Sequence, residues 1–229
     1  MQLVAYGAQD VYLTGNPQIT FFKVVYRRHT NFSMETIQQT INGSSSLTST
    51  SNSSGTVTIS RNGDLVHKVY VTSDTVDIQR GSAIVSEVEL EIGGQLIDRH
   101  TQEWMDIVNE LTTPRSKAVG LKLSMGEIGS TGIDSDRVET RLVQIPLHFW
   151  FCRNPGLALP LIALQYHEVK LKFKWGSSTV VGAAADVAVW VDYIYLDTDE
   201  RRRFAQVSHE YPIEQVQEQT LSTPDGSSD

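Results

Sequence analysis

The sequence is poor in cysteine and has no long apolar run, and these two shortages exclude whole classes of protein. Cys152 is the only cysteine among 229 residues, so the chain cannot form a disulfide within itself. No stretch approaches the roughly 18 apolar residues of a membrane-spanning helix. The first residues, Met1 to Gly7, lack the basic start and apolar core of a secretory signal. We therefore expect a protein that folds in a reducing compartment.

Positive charge is also in short supply. Lys and Arg number 19 against 27 Asp and Glu, which gives a formal net charge of -8. Sequence-independent binding of nucleic acid depends on cations that neutralise phosphates, so this balance disfavours direct contact with nucleic acid. Hydrophobic residues make up 40% of the chain, which suffices for the core of one large domain.

The most frequent pattern is alternation with period two. Between Glu87 and Ile92 apolar residues alternate with three glutamates, and between Glu168 and Trp175 they alternate with three lysines. Successive side chains of a strand point to opposite faces, so each run predicts a strand with one buried and one solvated face, typical of antiparallel sheets. Five further β-rich runs are Thr20 to Arg27, Thr56 to Arg61, Leu65 to Thr72, Leu142 to Cys152 and Val187 to Leu196.

Helical periodicity is rare. Apolar residues at i, i+3, i+4 and i+7 from Trp104 to Leu111 predict one short helix, and the run from Leu157 to Leu164 is interrupted by proline and predicts at most one helical turn. Asn42 to Gly55 is almost wholly Ser, Thr, Asn and Gly, which predicts an exposed loop. Together these patterns give about seven strands and little helix, which predicts an all-β, antiparallel two-sheet fold with one or two short inserted helices, and a jelly-roll sandwich is the leading choice.

Residues suited to catalysis or metal binding do not converge in the sequence. His100, Glu103 and Asp106 come closest to a ligand set, but we interpret them as the solvated face of the short helix. Cys152 ends an aromatic run, which favours a buried thiol over a nucleophile. The glycines from Gly126 to Gly132 match no phosphate-binding loop and predict a connector. We predict no enzymatic activity, no cofactor and no metal site.

A basic triplet, Arg201 to Arg203, stands out near the end of the chain. Asp197, Asp199 and Glu200 precede it directly and offer local partners. We therefore interpret the triplet as a solvated or interface salt-bridge cluster rather than as a nucleic-acid patch.

Four segments resemble one family. From Gly7 to Phe32 the sequence reads GAQDVYLTGNPQITFFKVVYRRHTNF, which resembles the opening of the major capsid proteins of nucleocytoplasmic large DNA viruses, the group of chloroviruses, iridoviruses and mimivirus relatives. Three further segments resemble the same family: Glu89 to Leu111, Ile145 to Phe173 around RNPGLALPL, and Val191 to Gln217 around LDTDERRRF. The resemblance covers most of the chain.

The resemblance implies a structural protein of an icosahedral virus capsid, located in the virion and made in the host cytoplasm. Members of the family are double jelly rolls built from two eight-stranded antiparallel sandwiches, and this chain would supply the first of them. It implies an amino-terminal arm at 1–20, a jelly-roll domain at 21–205, and a linker at 206–229 toward a second roll that the chain lacks. Family members extend further at both ends, so we expect a gene fragment, a split gene or a partial sequence.

The partners implied by the resemblance are copies of the chain itself. Three copies would form a homotrimeric, pseudo-hexagonal capsomer that contacts neighbouring capsomers, minor capsid proteins and the inner viral membrane. In the arm, Val11, Tyr12 and Leu13 are candidate assembly contacts, although a plain first strand and loop would fit the same residues. The other candidate assembly contacts are Arg201, Arg202 and Arg203.

Two other functions fit a β-sandwich. Jelly rolls also serve as lectin domains, and a carbohydrate-binding module would need exposed tryptophans among Trp104, Trp150, Trp175 and Trp190. A cupin-like metalloenzyme would need histidines and carboxylates that converge on one metal ion.

Overall fold

The computed structural model describes residues 31–47, 53–75, 81–126, 141–177 and 186–219. All of these except Asn31 belong to one compact unit, Phe32–Asp229. The predicted strand from Thr20 to Arg27 and the arm residues Val11, Tyr12 and Leu13 lie outside the described residues.

The described residues form ten strands in two five-stranded antiparallel sheets. Sheet A has the order β1-β10-β4-β7, with β8 paired to β4, and sheet B has the order β2-β3-β9-β5-β6. The strands are β1 Phe32–Gln39, β2 Ile41–Gly43, β3 Ser54–Thr58, β4 Leu65–Thr75, β5 Val85–Ile92, β6 Gln95–Thr101, β7 Arg141–Pro146, β8 Leu159–Pro160, β9 Val169–Trp175 and β10 Val187–Leu196.

This arrangement confirms the predicted antiparallel β-sandwich. The chain crosses between the sheets after β4, returns to sheet A at β7 and crosses again to β9, as in a jelly roll. The described strands number ten against a predicted eight, and four of them, β1, β2, β6 and β8, lie outside the runs from which strands were predicted.

Alternating apolar side chains of both sheets meet in one core. In β9 the apolar residues Val169, Leu171, Phe173 and Trp175 are all buried, while the lysines between them point outward. β10 buries Val187, Val189, Val191 and Tyr193 from the opposite sheet. Each fully buried side chain of this size contributes about 1.5–3 kcal/mol to folding, so the inner faces hold the sheets together.

The described residues contain more helix than the predicted one or two short segments. The α-helices are α1 Gln102–Thr112, α2 Arg115–Ser124, α3 Trp150–Arg153 and α4 Thr198–Gln206, and 3₁₀ turns occupy Gly81–Ile84 and Pro155–Leu157. The sequence patterns missed α2 and α4. Neither helix buries a residue in the core, so neither has the core-facing apolar stripe on which the prediction of α1 rested.

The predicted helix α1 is present, but its predicted buried stripe is wrong in phase. Thr101 begins the helix, its Oγ1 accepting a hydrogen bond from the Trp104 N–H. The helix buries Met105 and Val108, whereas Ile107 is 51% exposed and Leu111 is 80% exposed. The two exposed residues therefore do not serve this chain's own core.

Two further predictions need correction. The run from Leu142 to Cys152 is a strand only as far as Pro146 and then turns into α3. The stretch from Asn42 to Gly55 is not wholly exposed, because Leu47 is buried in the core and the Trp175 Nε1–H donates to the Ser44 carbonyl at 2.8 Å. Residues 48–52 of that stretch lie outside the described residues.

Candidate assembly surface

Helix α4 is attached to the outer side of sheet A by one buried carboxylate. Asp64, just before β4, accepts hydrogen bonds at Oδ2 from the Leu196 N–H at 2.8 Å and from Arg201 Nη2 at 3.0 Å. The Arg201 Nε lies 3.0 Å from the other oxygen, Oδ1. This two-point pairing fixes the first turn of α4 to the end of β10.

The other two arginines of the triplet are more exposed. Arg203 Nη1 lies 3.9 Å from Glu200 Oε2 one helical turn away, and Asp197 caps the helix by accepting from the Thr198 N–H at 2.7 Å. Among the described residues Arg202 forms no ion pair. The salt-bridge interpretation therefore holds for Arg201 and Arg203, but the partner of Arg201 is distant in sequence. The assembly role of the triplet stays a prediction.

A second, smaller apolar cluster lies beneath α4, on the outer face of sheet A. Phe204 packs there against the buried residues Leu65, Ala158 and Ile194. His209 stacks on the Phe204 ring at 4.9 Å and donates from Nε2 to the Phe204 carbonyl at 2.8 Å. The chain after α4 is thus folded back on the sandwich. Next to this cluster an apolar groove of about 410 Å³ is lined by Trp150, Leu164, Phe204, Tyr211 and Ile213 among others.

The segment after this turn runs along β6, the edge strand of sheet B. The Val216 N–H donates to Asp98 Oδ1 at 3.0 Å, and the Gln215 side-chain amide donates to the Ile97 carbonyl at 2.6 Å. Glu214 forms an ion pair with Arg153. An uncovered edge strand invites pairing with other chains, so this segment protects the edge.

The Asp98 carboxylate and the His100 imidazole form a buried pair. Asp98 Oδ2 lies 2.8 Å from His100 Nε2, and both side chains are 1% exposed. Burial alone would raise the pKa of Asp98, but hydrogen bonds from His100, Val216 and Arg99 outweigh it and lower that pKa. The interpretation of His100 as a solvated residue was therefore wrong, because its ring stacks on Phe149 at 4.5 Å inside the sandwich.

The residues that nucleophilic catalysis or metal binding would require are buried or are not grouped together. Burial raises the pKa of the Cys152 thiol to about 12, so the thiolate nucleophile is absent at neutral pH. Burial, with the nearby charges of His100 and Arg153, lowers the pKa of His148 to about 4, and its Nε2 lies 2.7 Å from Asn109 Oδ1. Within the described ranges no three His, Cys, Asp or Glu residues are grouped to hold a metal ion.

The tryptophans do not form an exposed stacking platform in the described part of the chain. Trp150 and Trp175 are buried at 5% and 1% exposure. Trp190 is half-buried on the outer face of sheet A, and its Nε1–H donates to Thr72 Oγ1 at 2.9 Å. The arrangement does not favour the carbohydrate-binding alternative.

Across the same described residues, no helix is both long and apolar enough to cross a bilayer.

The outer face of sheet B is a charge ladder. The register places Glu87 beside Lys174, and the next glutamates of β5 beside the next lysines of β9. Lys174 Nζ contacts Glu87 Oε1 at 2.9 Å, and Lys172 forms an ion pair with Glu91. The glutamates and lysines of this ladder neutralise each other within the chain. Their charged side chains keep this face in contact with water.

Comparison with known proteins identifies the family. The family described as "Major capsid protein N-terminus" matches residues 20–197. The major capsid protein of Pyramimonas orientalis virus is 55% identical over 232 residues, covering 95% of this chain and 58% of the relative. The major capsid protein of Paramecium bursaria Chlorella virus 1 is 47% identical over 234 residues, covering 94% of this chain and 52% of the relative.

A solved capsid structure shares the fold. The structure titled "PBCV-1 virus capsid, quasi-atomic model" matches with a TM-score of 0.71 at 40% identity, covering 86% of this chain and 50% of that chain. The Faustovirus major capsid protein matches with a TM-score of 0.55 at 12% identity, which shows a shared fold alone. The chain thus spans about half the length of the curated relatives that it matches.

Proposed function

Because this chain belongs to the family of major capsid protein N-termini, we propose that it is a structural component of an icosahedral viral capsid and acts in the virion. Its task is to supply the first jelly roll of a capsomer subunit. The observation that supports this most directly is the match over 95% of the chain to a relative named as a major capsid protein. The role is mechanical, so we propose no catalytic turnover and no cofactor.

The geometry supports a role in which contacts carry the function. The sandwich is rigid because its inner faces are packed with apolar side chains, and rigid repeated units are what a closed shell requires. We propose that three copies assemble into a pseudo-hexagonal capsomer that contacts neighbouring capsomers. Minor capsid proteins and an inner viral membrane belong to the same proposal as further neighbours. Synthesis in the host cytoplasm is part of it too, and the single cysteine is consistent with that compartment.

The proposal assigns three parts to the chain. Residues 1–20 form the arm, in which Val11, Tyr12 and Leu13 contact neighbours, and residues 21–205 form the roll. Residues 206–229 lead toward a second roll, as the greater length of the relatives suggests. The contacts of Val216 and Gln215 with β6 support this, since they hold the departing chain in a fixed direction.

A chimera with a close relative tests this function. The chain would replace the matching amino-terminal half of the Pyramimonas orientalis virus major capsid protein, with the unaltered relative as control. We expect the chimera to form trimers in native mass spectrometry and pseudo-hexagonal particles in electron micrographs. If the control assembles while a folded chimera stays monomeric, the proposal is wrong.

A further inference from the structure

Helices α1 and α2 form a hairpin whose outer surface is unusually apolar. Ile107 and Leu111 on α1 are 51% and 80% exposed, and Val119 and Leu123 on α2 are 62% and 37% exposed. These are four of the ten large hydrophobic side chains that the structure exposes among its described residues. Such a concentration on one surface marks a contact site rather than scattered exposure.

The two helices repeat one pattern with opposite charge. Along α1 the exposed stripe reads Glu103, Ile107, Glu110, Leu111, which is acid, apolar, acid, apolar at i, i+4, i+7 and i+8. Along α2 the same spacing reads Arg115, Val119, Lys122, Leu123, with bases in place of the acids. Residues at this spacing share one helix face, so each helix presents an apolar strip flanked by charge of one sign.

The two stripes are connected at one point. Lys122 Nζ is 3.6 Å from Glu110 Oε2, and this ion pair joins the stripes where the helices approach each other. Between the helices lies a groove of about 660 Å³, whose lining includes Ile107 and Leu121. The hairpin therefore offers an acidic stripe, a basic stripe and, between the helices, a groove with both polar and apolar lining.

Helix α2 has little to stabilise it within its own chain. It buries no residue, and no side chain caps its first turn. Arg115 and Lys117 stand in that first turn, where the helix dipole disfavours cations. An isolated helix of 10 residues is marginal in water, so a partner that covers this surface would supply the missing stability.

We propose that this hairpin is a self-complementary docking surface for the hairpin of a second copy of the chain, related by a two-fold axis. The acidic stripe of α1 in one copy lies on the basic stripe of α2 in the other, and the reverse contact forms at the same time. The apolar residues of each copy enter the groove of the other. The proposal deepens the capsid function, on which it rests, by naming one surface through which copies meet.

Charge reversal tests this contact in the 229-residue chain. One variant, Glu103→Lys with Glu110→Lys, makes both stripes basic, and another, Arg115→Glu with Lys122→Glu, makes both stripes acidic. We expect each variant alone to lose self-association by about tenfold or more, because like charges then face each other. An equimolar mixture should regain it as a heterodimer in sedimentation and native mass spectrometry, with circular dichroism confirming that both variants fold.

A matched pair of substitutions of exposed apolar residues controls for non-specific hydrophobic association. Leu111→Ser should weaken association, whereas Tyr166→Ser, which removes a 92% exposed ring outside the hairpin, should leave it unchanged. The docking surface is overturned if the reversed variants associate like the unaltered chain, or if mixing them restores nothing. The chimera tests the capsid function separately. If the chimera assembles into capsomers while the hairpin variants show no effect, only this contact is disproved.

Discussion

The outer faces of the two sheets differ although both sheets bury the same kind of inner face. Sheet B turns glutamates and lysines outward, and these pair with each other across β5 and β9. Sheet A turns Ile194 outward near the end of β10, and Phe204 of α4 covers it. A charged face stays in water unaided, whereas an apolar face must be covered. The comparison shows why α4 packs on the outer face of sheet A, while the outer face of sheet B stays in water.

Removing one aromatic side chain from the core should cause the largest loss of stability. It should also distinguish the inner face of a strand from its outer face. Phe173 on β9 is 1% exposed, so Phe173→Ala leaves a cavity and should lower the free energy of unfolding by about 3–5 kcal/mol. Lys172→Ala, on the outer side of the same strand, should cost less than about 1 kcal/mol. Urea denaturation of both variants measures the difference. Equal losses would contradict the assignment of inner and outer faces.

Removing the carboxylate that holds α4 should cause the second-largest loss of stability. Asp64→Ala leaves the Leu196 N–H and the Arg201 guanidinium without their acceptor, and we expect a loss of about 1–3 kcal/mol. Hydrogen exchange should also become faster in α4 than in the strands. Asp199→Ala, an exposed carboxylate on the same helix, is the control and should have little effect. Unchanged exchange in α4 would mean that Asp64 does not hold the helix.

The buried Asp98 should make the attachment of residues 214–218 sensitive to acid. Its pKa in the folded chain is lowered from 3.8, so its stabilising contribution is complete above about pH 3.8 and is lost as the pH falls through the folded value. Asp98→Asn should cost about 1 kcal/mol at pH 7 and clearly less at pH 3, measured by denaturation at both pH values. Gln215→Ala removes a contact of the same segment without a titrating group and should cost the same at both. A pH-independent effect of Asp98→Asn would refute this role.

The charge ladder should give the smallest effect. Lys174→Ala breaks the ion pair with Glu87 on a face that water reaches, so we expect a loss below about 1 kcal/mol. High salt should reduce the loss further, because salt screens exposed charges. Denaturation at low and high salt provides the measurement. A loss comparable with that of Phe173→Ala would show that the ladder holds the sheet together.

The sequence alone determined the strands with one buried and one solvated face. Alternation in β5 and β9 is a local property, since each residue's face follows from its position along the strand, and the family resemblance rested on contiguous residues. The short helix α1 was also readable, because its apolar residues recur at helical spacing. Its buried face was not, since Ile107 and Leu111 are as apolar as the Val108 that the core receives.

Only the tertiary structure decided which distant groups meet. Nothing in the local sequence connects Asp64 with Arg201, or Asp98 with Val216, because these contacts depend on how β10 and the chain after α4 return to the sandwich. His100 had the pattern of a solvated residue, and it became buried because Phe149 and Asp98 close around it. Periodicity fixes which way a side chain points along its own strand, whereas packing of remote segments fixes what it meets there.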